Sequence, residues 1–156
     1  MGRKATRAIV EKIFMTPEGG APMRTVDEAT AVADRGFEGD RYLKRAGYWT
    51  DIDECQVTLI EAEHLDEIER ETGVKVQGGE HRRNIVTRNL DLMGLAGRRF
   101  KIGAATFVFD RPRPPCAYIA SITERLMTKA LWNRGGICAR VVKGGTIKPG
   151  DRIVVL

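Results

Sequence analysis

Residues 99–116 read Arg99-Phe100-Lys101-Ile102-Gly103-Ala104-Ala105-Thr106-Phe107-Val108-Phe109-Asp110-Arg111-Pro112-Arg113-Pro114-Pro115-Cys116. Two β-rich runs flank a break at Gly103, the pattern of a hairpin. The second run then meets three prolines. Proline lacks a backbone N–H and disfavours helix in the residue before it, so the chain is expected to leave the strand as a stiff, extended rim loop. A lone cysteine stands at the end of that loop. A thiol acts as nucleophile or metal ligand only as thiolate, which neighbouring arginine charge favours. Cys116 is therefore the first candidate for chemistry.

Short β-rich runs recur on both sides. Ala8 to Phe14 reads as a strand closed by the Pro17 to Pro22 turn, and Gln56 to Ile60 as another. Ala62, Leu65, Ile68 and Thr72 then share one helical face, with Gly73 as C-cap. Arg82 to Thr87, Ile137 to Val142 and Arg152 to Leu156 complete the strand set. Ser121-Ile122-Thr123-Glu124 has the spacing of a capping box, opening a helix whose apolar stripe is Ile122, Leu126, Met127, Ala130 and Leu131. Met23 to Asp53 shows weak periodicity and is expected to be a long loop, with at most a helical turn at Asp27 to Ala31. Six or more short strands with two helices, in no strict alternation, predict a mainly β protein: an antiparallel barrel or sheet with peripheral helices.

The 156 residues suit a single domain, residues 1–156, and 42% apolar with 30% charged residues describes an ordinary globular chain. No apolar leader follows the basic N-terminus and no run of about 20 apolar residues occurs, so a cytoplasmic protein without a membrane partner is expected. The formal charge of +5 suits an anionic ligand or merely a solvated basic surface. No basic block interleaves with aromatics, so nucleic acid is not an expected partner. Three cysteines without a C-x-x-C pair argue against a disulfide framework and a zinc site. Neither a dinucleotide fingerprint nor a phosphate loop is present, so no NAD or flavin site is evident.

Three roles compete for Cys116: a small buried hydrophobe, which suits Cys55 and Cys138 better; a thiolate that receives and passes sulfur; and a soft ligand to a metal centre. A cysteine protease needs a positioned histidine. Of the two present, His64 lies on a charged helix face and His81 beside Arg82 and Arg83, which disfavour an imidazolium. Arg82, Arg83, Asn84, Arg111, Arg113 and Arg140 are candidates for an anion cradle, because guanidinium forks bind phosphate bidentately. Asp40 and Arg41 are expected only to pair with each other.

Gly39-Asp40-Arg41, Gln56 to Glu61, Arg83-Asn84-Ile85-Val86, Leu95-Ala96-Gly97 with Phe100 to Gly103, Pro115-Cys116 and Arg134 to Val141 together resemble the MOSC domain, the C-terminal domain of molybdenum cofactor sulfurases. The likeness runs in order from about Gly36 to Leu156. It implies a barrel of the pyruvate-kinase type, molybdopterin (the molybdenum cofactor) as ligand, and Cys116 as metal ligand or persulfide carrier. The implied cofactor-binding residues are Arg82 and Asn84, with Arg83, Arg113 and Arg140 beside them. Pyridoxal phosphate belongs to the sulfurases of the family. Implied partners are a sulfur-donating desulfurase, or an electron donor if the chain serves a molybdenum reductase of N-hydroxylated compounds. Pro114 stands where such reductases often carry arginine.

Overall fold

The structure is a computed structural model that describes residues 7–42, 55–115, 119, 122–123 and 126–156. Its strands are β1 (Ile9–Met15), β2 (Arg24–Thr25), β3 (Ala29–Val32), β4 (Gly36–Phe37), β5 (Val57–Glu61), β6 (Ile85–Arg88), β7 (Arg99–Ile102), β8 (Ala105–Pro112), β9 (Ile137–Lys143), β10 (Gly145–Ile147) and β11 (Ile153–Val155). Helix α1 (Ala62–Thr72) follows β5, a 3-10 turn spans Leu92–Leu95, and the short helix α2 (Met127–Ala130) precedes β9.

Eight strands form one curled sheet in the order β11-β7-β8-β9-β5-β6-β1-β2. The curl brings β11 back to β1: Ile153 N–H donates to Ala8 C=O at 2.9 Å and Val10 N–H to Asp151 C=O at 2.9 Å. The fold is thus mainly β and barrel-like. Pairing is antiparallel except between β5 and β6, which run parallel with α1 as their crossover. A smaller sheet, β10-β3-β4, packs Ala29, Ala31, Phe37 and Ile147 into the same core as the curled one.

Alternation along the strands builds two cores. Val10, Ile13, Leu59, Ile85, Phe100, Phe107, Ala139 and Val141 fill the interior of the curl, where Phe100 and Phe107 stack with centroids 5.6 Å apart. Neighbours on the opposite face, Phe14, Ile60 and Val86, pack with Leu65 and Ile68 of α1 and Met127 and Leu131 around α2. Both faces of β5 are therefore covered, and each fully buried Leu or Ile contributes roughly 1.5–3 kcal/mol.

Four local expectations change. Ala29–Val32 forms strand β3 rather than a helical turn, because its buried Ala29 and Ala31 pair with Ile147 and Gly145 of β10. Strand β8 runs through Arg111 to Pro112, opposite Ile137; Arg113 N–H supplies the next bond, to Gly136 C=O at 2.8 Å, so Pro112 need not donate. Of the second predicted helix, Met127–Ala130 is the described helical segment; Ser121 and Glu124 of its capping box lie outside the described residues. Finally, Cys55 and Cys138 are joined as a disulfide with Cα atoms 6.0 Å apart. Cys138 sits opposite Thr58 in the β5–β9 ladder, and Cys55 lies just before β5, so strand pairing brings together two thiols 83 residues apart. Among the described residues, no helix is long and apolar enough to cross a membrane.

Candidate functional site

Three segments converge where β1 ends, β6 begins and β8 runs out: the Gly39–Tyr42 turn, the approach to β6 at residues 79–84, and the Arg113 region. Gly39 adopts φ 83°, which swings Asp40 beneath the turn. The Asp40 carboxylate is fully buried and accepts hydrogen bonds from Thr16 N–H at 3.2 Å and Arg41 Nη1 at 3.2 Å. Arg41 stacks over the Tyr42 ring, 4.1 Å from its centroid, and Nη2 donates both to Tyr42 Oη at 3.0 Å and to Arg82 C=O at 3.1 Å. The expected Asp40–Arg41 pairing is there, and it does more than neutralise itself: it ties the turn to Arg82.

Arg82 holds φ 62°, a left-handed backbone unusual for a residue with a long side chain. Its N–H closes the turn onto Gly79 C=O at 2.9 Å, and Nη1 donates to Ala21 C=O at 2.6 Å. Arg83 reaches the other way, with Nε donating to Gly135 C=O at 2.6 Å and Nη2 to Arg113 C=O at 3.1 Å. Gly136, with φ 86°, lets that loop lie against β5: an added Cβ would run into Leu59 C=O.

Arg41, Arg82, Arg83 and Arg113 are thus all at most 9% exposed, and Asp40 is the single carboxylate buried to that degree among the described residues. Removing such charge from water is costly, and the carbonyls of Ala21, Arg82, Gly135 and Arg113, with the Asp40 carboxylate, offset part of that cost. Two neighbouring groups register the field. Burial acts to raise the Tyr42 phenol, yet the charges of Arg41, Arg113 and Arg83 outweigh it and hold the phenol below the ordinary tyrosine range. Burial, reinforced by Arg83, Lys12 and Arg82, pushes His81 down to about 3. His81 accepts Arg83 N–H at Nδ1, 2.8 Å, so Nε2 carries the hydrogen; Nε2 has no hydrogen-bond partner among the described residues, and the ring meets Phe14 edge-to-face at 5.0 Å. A neutral, enclosed imidazole of this kind is no partner for a thiolate.

A cleft of about 570 Å³ opens onto Arg82, bordered by Lys75, Met23, Gly79 and Thr123. Cys116 lies outside the described residues. The residues on either side of its segment, Pro115 and Ile119, are buried, with Ile119 in the core beneath α1.

The remaining sequence candidates separate from this group. Asn84 is fully buried and its amide serves the sheet: Oδ1 accepts Thr58 N–H at 3.0 Å and Thr58 Oγ1–H at 3.1 Å, and Nδ2 donates to Phe14 C=O at 3.2 Å. Arg140 lies on an exposed position of β9 and pairs with Asp34 at 2.9 Å, which holds that carboxyl below its usual range. Arg111 pairs with the adjacent Asp110. Sequence reasoning gave Arg41 and Tyr42 no role at the site; an Asp-Arg-Tyr run straight after a glycine was the available signal. Among the described residues, no group of three or more His, Cys, Asp or Glu side chains is placed to hold a metal ion.

A family model described as the MOSC domain matches residues 36–154. No curated protein matches the sequence. Among solved structures, the YUAD protein from Bacillus subtilis aligns with a TM-score of 0.80 at 19% identity, covering 96% of each chain. YiiM from Geobacillus stearothermophilus aligns with a TM-score of 0.74 at 18% identity, over 96% of this chain and 75% of that one. YiiM from Escherichia coli gives 0.67 at 19% identity, over 97% and 70%. At these identities the likeness speaks to the fold.

Proposed function

The chain belongs to the MOSC domain family, a family associated with the molybdenum cofactor, and from that premise we propose that it binds the phosphate-bearing pterin of this cofactor at the arginine-lined cleft. The observation that carries the reading is the convergence of Arg82, Arg83 and Arg113 on one rim, with Arg82 lining an open cleft. A phosphorylated ligand supplies the opposite charge in the form that guanidinium groups hold best. Arg82 lines the cleft and would take the phosphate, with Lys75 at the rim; Arg83 and Arg113 set the field behind it. Arg41 holds Arg82's backbone in its left-handed conformation through the bond to its carbonyl. When bound, the metal supplies redox or sulfur-transfer chemistry, and Cys116 is the soft donor assigned to it. The same thiolate serves a persulfide route, attacking the outer sulfur of a desulfurase's cysteine persulfide while the desulfurase cysteine leaves as thiolate. Either route calls for a partner that delivers electrons or sulfur, and a cytoplasmic location is part of the reading.

Anaerobic purification from a host that makes the cofactor tests this, with metal analysis, pterin fluorescence and intact mass for the wild type, Arg82→Ala and Cys116→Ala. Molybdenum and pterin are expected with the wild type. Pterin retention should fall roughly 10- to 100-fold in Arg82→Ala, the worth of one charge-assisted bond. Molybdenum should fall in Cys116→Ala. One added sulfur on Cys116, without molybdenum, would favour the persulfide route. A wild-type chain that takes up neither cofactor nor sulfur overturns both.

A further inference from the structure

Arg83 leaves the chain from a fixed base. Its N–H donates to His81 Nδ1 at 2.8 Å, and its neighbour Asn84 is bonded to Thr58 and Phe14 within the sheet. The guanidinium, on a side chain buried with the rest of the residue, then spans two other segments. Nε donates to Gly135 C=O at 2.6 Å and Nη2 to Arg113 C=O at 3.1 Å, so one planar fork ties the loop before β9 to the exit of β8. A direct bond joins the same two segments, from Arg113 N–H to Gly136 C=O at 2.8 Å. Gly135 fits between them because it has no side chain: an added Cβ would stand 2.5 Å from the Arg113 oxygen and 3.1 Å from Pro115 Cδ.

The residues after Arg113 carry that hold forward. Pro114 and Pro115 separate it from Cys116. Each ring locks its own φ, the peptide units are planar, and Pro114, which precedes a proline, is confined to extended ψ. The ψ of Pro115 is then the one soft torsion between the Arg113 carbonyl and the Cys116 amide. Pro115 is itself buried. An ordinary linker of this length would have two soft torsions at every residue and would lose the orientation at once. Here, fixing the Arg113 carbonyl goes far toward fixing where Cys116 leaves the chain.

We propose that Arg83 is a positioning residue: it clamps the Arg113 carbonyl to the Gly135–Gly136 loop and, through two φ-locked prolines, sets where the Cys116 thiol stands. The proposal rests on Cys116 as the residue that does the chemistry, and it gives Arg83 a task distinct from that of Arg82, which lines the cleft. For this task shape outranks charge. A lysine keeps the charge but offers a compact ammonium, which cannot present two donors in a fixed plane. A metal ligand or a sulfur carrier acts only with its sulfur at bonding distance, and a misplacement on the order of 1 Å can cost about 100-fold.

A thiol-specific nitroxide tests the clamp without any cofactor. Under non-reducing conditions Cys55 and Cys138 are bridged, so the label goes to Cys116. Electron spin resonance should show an immobilised label in the wild type and several-fold faster motion in both Arg83→Lys and Gly135→Ala. The glycine variant opens the clamp from the opposite side with every arginine in place, at a backbone that is not left-handed. It decides alone should Arg83→Lys fail to fold. In cofactor-loaded protein both variants should keep pterin and lose molybdenum, a split that general damage to the fold would not give. A label unmoved in both variants, already mobile in the wild type, or refused by the wild-type thiol overturns the clamp. Pterin loss from Arg83→Lys with Gly135→Ala silent also overturns it, and makes Arg83 a ligand contact. A wild type that binds no cofactor while the label responds as expected sinks the cofactor reading and leaves the clamp supported.

Discussion

Replacing Asn84 by alanine should damage folding more than ligand binding. Its carboxamide bridges β1, β5 and β6 through bonds to Thr58 N–H, Thr58 Oγ1 and Phe14 C=O, and Thr58 Oγ1 in turn accepts Asn84 N–H at 2.9 Å. Alanine leaves the Thr58 amide buried without its partner, strips a bond from the Phe14 carbonyl and opens a space the size of the lost group. At about 1–3 kcal/mol for each stranded buried group, the total comes to roughly 3–5 kcal/mol. With a urea m-value of roughly 2 kcal/mol/M for a chain of this length, the midpoint should fall by about 1.5–2.5 M. Urea unfolding followed by circular dichroism measures this, and a double-mutant cycle with Thr58→Ala should give strong non-additivity. A midpoint shift below about 0.3 M, together with loss of pterin binding, would refute the structural role and make Asn84 a ligand contact.

Two further outcomes are expected. His81 takes up a proton near pH 6.5 when unfolded but only near 3 when folded, so the unfolded state binds more protons between these values. Its contribution to stability is therefore complete above about pH 6.5 and is lost as pH falls toward 3, at up to ~1.4 kcal/mol per unit. The wild type should lose more stability than His81→Phe over that window, and parallel pH profiles would refute this. The Cys55–Cys138 bridge closes 83 residues, worth up to about 4–5 kcal/mol by loop entropy. Reductant should lower the melting temperature of the wild type and leave Cys55→Ser unaffected; an oxidised wild type that ignores reductant would count against the bridge.

Much of this architecture is written locally. Ala62, Leu65 and Ile68 share a face and Gly73 caps it at φ 71°, so α1 follows from periodicity alone. The β7–β8 hairpin follows from alternation around Gly103. Residues 24–37 were illegible because β2 and β4 have two residues each and β3 has its partner at Gly145–Ile147, far along the chain. The parallel β5–β6 pairing and the Cys55–Cys138 bridge have the same cause: both are fixed by what the sheet brings together. At the site, Arg82, Arg83 and Arg113 converge as a basic cluster suggests, because the approach to β6 and the exit of β8 share one rim. Asn84, two positions beyond Arg82, instead has its side chain inside the sheet, and Arg140 lies on an exposed stretch of β9. Arg41 was legible only as half of an ion pair, since its hold on the Arg82 carbonyl depends on a fold-back that spacing does not encode.

The seam between β1 and β11 has a kinetic consequence. Ile9 and Arg152 bridge across about 140 residues, and closing such a loop costs ~3 kcal/mol more entropy than closing a tight hairpin. Contacts this distant slow the search for the native state, so the seam is expected to form late and open early. Strand β1 and the residue before it carry the seam at Ala8 to Val10, and Thr16, just past the strand's other end, bonds Asp40 and Arg41 of the arginine cluster. At about 3.3 Å per residue the two ends stand roughly 20 Å apart. The barrel can therefore breathe at its seam, exchanging amide hydrogens there, while the arginine-lined rim stays assembled.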